Sequence, residues 1–249
     1  MTEILKVIDN YNVIEYDKTN IFVLENIIDD KLCLEFIDFI NELPLKKLHY
    51  LDDINNVKCY SYISDALFND EYYNNFYRFS IDDILYNKLL ENVNKKKSIY
   101  SNKINGIDKT KTQNIITNIN KKIEIANSIM TKLCSLTLDY NTGYTFRKIY
   151  GETRSHIDGI TKIYNSNVTF IKENNSGDYR MIRKLSIIFS LNDDYDGGIF
   201  NFPYQNVSIK LKKGSLLLFP PYWTHPHNCT ELENNTYRYT ISTWVCDKI

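Results

Sequence analysis

Alanine is nearly missing from this sequence of 249 residues and occurs only at Ala66 and Ala126. Asn, Ile, Lys and Tyr are abundant instead, as an AT-rich coding sequence would write them. Asn-rich stretches are therefore poor evidence of disorder, and a sequon such as Asn167-Val168-Thr169 is expected by chance. Charge of one sign is missing too: 30 basic residues face 31 acidic ones, for a net charge of -1. That balance argues against a protein that coats nucleic acid or an anionic membrane through bulk charge, and leaves room for a local basic patch. No stretch approaches the roughly 18 consecutive apolar residues of a membrane-spanning helix, and the mean hydropathy is -0.38. The start, Met1 to Lys6, has no charged segment leading into an apolar one, so no signal peptide is expected. Five cysteines, an odd number without paired spacing, exclude a zinc ribbon and a disulfide framework. A reduced, cytoplasmic setting is the expectation.

Glycine and proline are scarce in the first half and gather in the second. Only Gly106 precedes Gly143, and four of the five prolines lie at or after Pro203. Both residues punctuate tight turns, so the second half reads as closely spaced strands and the first as more helical. Ile21–Leu24 is a short strand candidate. Asp29 or Asp30 can cap a helix running to about Leu43, with Leu32, Phe36, Phe39, Ile40 and Leu43 on one face and Pro44 as its stop. A second helix is expected from Asn114 to Leu136. Tyr60 to Tyr86 takes no clear assignment, and Lys95 to Lys111 reads as a basic connector. Strands are expected over 144–150, 184–191, 199–202, 207–211, 215–219 and 237–245. Such spacing suggests an α+β chain with a mostly β core, a double-stranded β-helix or jelly roll, with N-terminal helices flanking it. With no repeat and no flexible linker, one domain over 1–249 is expected, with 20–136 as helical support and 140–249 as the core.

Of the four histidines, His49 sits in an unremarkable stretch, while the others stand among polar functional groups. In a strand, His156 and Asp158 point to one face with Cα atoms roughly 7 Å apart, so both can reach one metal ion. Alone, His-x-Asp is a weak motif. The second group is Trp223-Thr224-His225-Pro226-His227, which follows the apolar run Gly214 to Pro221. Two histidines and one carboxylate with open positions form the facial triad of non-haem Fe(II) oxygenases. The third element is the alternating segment Tyr237 to Trp244, which puts Arg238, Thr240, Ser242 and Trp244 on one face. If that face is inward, the Arg238 guanidinium requires an anion, and a dicarboxylate offers a bidentate match. An outward Arg on an edge strand fits the pattern equally well.

Together these residues resemble the iron(II)/2-oxoglutarate-dependent dioxygenases, in particular the prolyl 4-hydroxylase-like branch. The shared features are His156-Ile157-Asp158, the turn ending in Gly197-Gly198, the strand from Gly214 to Pro220, a distal His, a later basic residue and Trp244. Ile21 to Ile28 with the capped helix is similar to that family's entry strand. Arg238 lies eleven residues after His227 and thirteen after His225. The family's shorter spacing favours His227 as ligand, with His225 orienting it or contacting substrate. Tyr150-Gly151 matches the family's Tyr-Gly, although the loop before His156 is contracted.

The resemblance implies Fe(II) held by His156, Asp158 and His227, with 2-oxoglutarate on Arg238 assisted by Tyr150 or Thr240. O2 is the further cosubstrate, and ascorbate is admitted as a reductant. It implies hydroxylation of a C–H bond in a protein or peptide, peptidyl proline first, with Trp244 as an aromatic wall. Residues 160–181 are expected to form a lid. Another side chain, a free amino acid or a nucleobase are alternative substrates, and the neutral charge disfavours nucleic acid. A catalytically silent jelly-roll binding module would leave the full residue set without purpose. A zinc hydrolase would lack a general-base Glu near the motif and leave Arg238 unexplained. Oligomeric state is left open.

Overall fold

The structure, a computed structural model, describes residues 2–42, 45–52, 57–64, 109–136, 140–141, 144–159, 169–172 and 178–248. The chain opens with strands β1 (Glu3–Ile8), β2 (Tyr11–Tyr16) and β3 (Ile21–Leu24), followed by helix α1 (Asp30–Glu42). Strands β4 (Leu45–Asp52) and β5 (Val57–Ser64) precede helix α2 (Lys109–Cys134). Then come β6 (Tyr140–Asn141), β7 (Thr145–Gly151), β8 (Thr153–His156), β9 (Thr169–Lys172), β10 (Asp178–Ser190) and β11 (Asp196–Gly197). The last are β12 (Phe200–Phe202), β13 (Val207–Ile209), β14 (Leu216–Phe219), β15 (His227–Cys229), β16 (Leu232–Glu233) and β17 (Arg238–Lys248).

A large sheet runs in the order β1-β2-β3-β14-β10-β17-β7-β5-β4, and a smaller one in the order β13-β12-β15-β8. Their facing surfaces make the jelly roll. The pleat sorts side chains between two cores. Along β14, Leu216 and Leu218 join the helix-side core, whereas Leu217 and Phe219 join the core between the sheets. A strand buried on both faces reads as an unbroken apolar run, which is why Leu216-Leu217-Leu218-Phe219 shows no alternation. On β10, Leu185, Ile187 and Phe189 face the helices, so Ser186, Ile188 and Ser190 turn the other way.

Both helices cover the outer face of the large sheet. Asp29 caps α1 by accepting the Leu32 amide at 2.9 Å. Phe36, Phe39 and Ile40 from α1 and Ile119, Ile123 and Met130 from α2 share one core with Phe146 of β7. Phe146 is fully buried and meets Phe39 edge-on at 5.3 Å between ring centroids. Phe146→Ala should therefore destabilise the fold by about 3–5 kcal/mol, seen as a lower urea midpoint with an unchanged slope.

The second helix starts five residues before the expected Asn114 and ends two before Leu136. The expected strand Ile21–Leu24 is β3, and the segment 20–136, expected as helical support, also supplies β4 and β5 to the large sheet. The hairpin of β1 and β2 was not anticipated. Its turn residues Asp9 and Asn10 have φ of 51° and 67°, a left-handed pair that suits a two-residue hairpin. Of the expected lid, β9 pairs with β10, while 160–168 and 173–177 lie outside the described residues, as do the basic connector before Lys109 and most of Tyr60 to Tyr86. No helix among the described residues is long and apolar enough to cross a membrane.

Candidate active site

The cavity lies between the two sheets and is partly open to solvent. Strand register builds its metal-facing side. His227 of β15 is paired directly with His156 of β8, and such cross-strand neighbours have adjacent side chains. Their ring centroids are 4.3 Å apart. Asp158 follows β8 by two residues, and its Oδ1 lies 3.4 Å from His156 Nε2 and 3.9 Å from His227 Nε2. One ligand atom from each of the three falls within 4.8 Å of the others, the one such cluster among the described residues. Gly159 permits the turn after Asp158, because a Cβ there would sit 2.6 Å from the Pro221 carbonyl oxygen.

The electrostatics suit a divalent ion. Burial pushes the His227 imidazole down to about 4, outweighing the attraction of Asp158, so it is neutral at pH 7, the form that can bind a metal. Burial alone would raise the Asp158 carboxyl, but the hydrogen bond to His156, the two imidazoles and Ser186 together hold it below its ordinary value. Ser186 Oγ donates to Asp158 Oδ2 at 2.7 Å, and Arg183 donates to the Asp158 carbonyl. His227 Nδ1 pairs with the His225 carbonyl at 3.1 Å. As donor there, it leaves Nε2 with its lone pair toward Asp158. Phe202 and Phe219 pack around the same ring.

The second side of the cavity is β17. Its alternation places Arg238, Thr240, Ser242 and Trp244 along the wall. Arg238 is 2% exposed. Its Nη1 donates to the Gly198 carbonyl at 2.9 Å, and its guanidinium lies 4.6 Å from the Phe200 ring centroid. Its buried Nε has no hydrogen-bond partner among the described residues, nor have Ser242 Oγ and Trp244 Nε1. Gly198, at φ +64°, is the turn residue whose carbonyl meets the arginine. Three hard-to-intermediate donors facing a buried, incompletely satisfied guanidinium fit a divalent metal with a chelating dicarboxylate.

Two residues picked out in the sequence lie elsewhere. Tyr150 does not line the cavity: the pleat of β7 turns Arg147 and Ile149 inward and carries Tyr150 to the opposite face, where its ring packs on Tyr237 at 6.1 Å. The His225 side chain also stays out of the cavity. Its Nε2 pairs with the Thr19 carbonyl at 2.7 Å and its Nδ1 with Thr224 Oγ1 at 2.8 Å, so only its backbone serves His227. Three contributors escaped sequence reasoning: Ser186, Arg183 and Arg147. Arg147 was legible in principle, since Thr145, Arg147 and Ile149 alternate as Arg238 and Thr240 do.

A family model for the 2OG-Fe(II) oxygenase superfamily matches residues 145–246. No curated protein matches the chain. Among solved structures, an oxidoreductase of the 2OG-Fe(II) oxygenase family from Burkholderia pseudomallei aligns with TM-score 0.51 and 10% identity, covering 90% of this chain and 84% of its own. A Trichoplax adhaerens prolyl hydroxylase, solved with a peptide fragment of the hypoxia inducible factor oxygen degradation domain, aligns with TM-score 0.50 and 14% identity, covering 93% and 85%. A viral collagen prolyl hydroxylase from Paramecium Bursaria Chlorella virus-1 aligns with TM-score 0.48 and 12% identity, covering 92% and 97%. Residues 145–246 are thus similar to the 2OG-Fe(II) oxygenase superfamily, whose members are 2-oxoglutarate-dependent dioxygenases, the triad lies inside the matched segment, and the fold is similar to that of a prolyl hydroxylase. Fe(II), 2-oxoglutarate and O2 are the cofactor and cosubstrates of that class.

Proposed function

We propose that the protein hydroxylates peptidyl proline, with the metal on His156, Asp158 and His227 and the distal carboxylate of 2-oxoglutarate on Arg238. The observation that carries the residue roles is one cavity in which the triad faces a buried guanidinium paired with a backbone carbonyl and with no carboxylate among the described residues. Bound Fe(II) and 2-oxoglutarate supply the oxidising chemistry: O2 is reduced as the oxo acid loses CO2 to become succinate, and one oxygen atom enters a substrate C–H bond.

The chain's own residues do the rest. His156, Asp158 and His227 would hold the metal. Arg238 fixes the cosubstrate by its distal end through a charge-assisted fork, and the Thr240 hydroxyl, 2% exposed on the same wall, adds a second contact. Ser186 keeps the Asp158 carboxylate turned toward the two imidazoles. Trp244 offers an indole to the proline ring, braced by the Arg183 guanidinium at 4.0 Å from its ring centroid. The Trichoplax relative of similar fold was solved with a peptide, which supports a peptide substrate here.

Anaerobic titration of the Fe(II) protein with 2-oxoglutarate should produce the weak visible charge-transfer band of the chelate. Oxygen and a proline-rich peptide library should then yield succinate and peptides heavier by one oxygen atom on proline. Oxygen found on lysine, asparagine or a nucleobase would refute the proline assignment and spare the class. Zn(II), Co(II) and Ni(II) should occupy the same donors and inhibit, since affinity at such a site does not favour iron.

A further inference from the structure

Arg147 is a cation that the roles above do not use. It lines the same cavity as Arg238 and is partly buried where Arg238 is fully buried. Register fixes its place. Arg147 is the partner of Thr240 across β7 and β17, while Arg238 is the partner of Ile149. The two guanidiniums therefore stand one inward position apart on adjacent strands. Arg147 lies close enough to act electrostatically on both His227 and Cys229, placing it near the triad as well.

Among the described residues no acid is paired with it. Its buried Nε has no hydrogen-bond partner among the described residues. Among the described residues Asp158 is the one acid lining the cavity, and it belongs to the triad. The two strands hydrogen-bonded to β7 carry no acid in sequence alongside it: β5 reads VKCYSYIS, and β17 reads RYTISTWVC before Asp247. A dicarboxylate spends one carboxylate on the metal and one on Arg238. A guanidinium left over in a partly desolvated cavity calls for one further anion.

Resting on the reading of the cavity given above, we propose that Arg147 forms a carboxylate subsite for the substrate, so that the preferred substrate carries an acidic group beside the carbon that is oxidised. A side-chain carboxylate next to the proline, or a terminal carboxylate, meets the requirement. Both present the same planar anion to the guanidinium fork.

The test uses the full chain loaded with Mn(II) and 2-oxoglutarate without turnover, in wild type, Arg147→Gln, Arg147→Lys and Arg238→Ala. Binding is followed by tryptophan fluorescence and Mn(II) water-proton relaxation, with Asp-Pro against Asn-Pro peptides, peptides ending in a carboxylate against their amides, and acetate against acetamide as the minimal pair. Wild type should favour the anionic member by tenfold or more for at least one pair. Arg147→Gln should erase that preference, Arg147→Lys should keep part of it, and 2-oxoglutarate affinity in Arg147→Gln should change less than threefold. A wild type that prefers no anion overturns the proposal. So does an Arg147→Gln protein that loses 2-oxoglutarate as severely as Arg238→Ala, because Arg147 would then serve the cosubstrate. If acetate binds only in the presence of Arg147 but no proline peptide is ever hydroxylated, the subsite stands and the prolyl reading falls.

Discussion

His227→Ala should leave the protein unable to retain Fe(II), whereas His225→Ala should keep it. The two histidines are separated by one proline and differ in everything that matters to a metal. His227 is buried, directly paired across the strands with His156, and lies 3.9 Å from Asp158. Burial keeps its imidazole neutral at pH 7, and the His225 carbonyl holds Nδ1. Its removal takes away one of three ligands and leaves His156 and Asp158 as a pair, so the loss should exceed the 10–100-fold that orienting partners of a ligand typically contribute. The His225 ring is tied to Thr19 and Thr224. Its loss removes the partner of the Thr19 carbonyl among the described residues, an expected cost of about 1–3 kcal/mol in stability. Metal content after equilibrium dialysis and urea unfolding of both variants separate the two effects. Metal lost from His225→Ala while the fold persists would reverse the assignment of the distal ligand.

What the sequence showed depended on whether a signal was local. The alternation of Arg238, Thr240, Ser242 and Trp244 is a property of one strand, and all four line the cavity. Leu216 to Phe219 announced a doubly buried strand by its unbroken apolarity. Tyr150 misled because matching Tyr-Gly to a family pattern ignores the pleat. Ile149, not Tyr150, stands opposite Arg238, and a one-residue offset moves a side chain to the other face. Ser186 and Arg183 carry no motif at all. They reach Asp158 from β10, separated by 28 and 25 residues, and only the register of distant strands brings them there. The β1–β2 hairpin was missed for a different reason: Asp9-Asn10 is a turn signal, but a chain rich in Asn dilutes it.

Arg238→Ala should weaken 2-oxoglutarate binding by about 2–5 kcal/mol, the range for truncating one partner of a buried charge pair. At 1.4 kcal/mol per tenfold that is roughly 30- to 4,000-fold. The residue is 2% exposed, and a charge held so far from water is costly until an anion arrives. Its partners in the structure include the Gly198 carbonyl and the Phe200 ring, which orient the guanidinium and leave its charge in place. Arg238→Lys keeps a charge but loses the fork, so it should fall between wild type and alanine. Because the unliganded protein pays for burying this charge, Arg238→Ala should unfold at a similar or higher temperature than wild type when no cosubstrate is present. The stabilisation that 2-oxoglutarate confers on the metal-loaded protein should then be largely lost. Iron retention without cosubstrate should be unchanged, since no triad atom is touched. An Arg238→Ala protein that binds 2-oxoglutarate with wild-type affinity would show that the distal carboxylate lies elsewhere on the wall, with Arg147 the remaining guanidinium able to receive it.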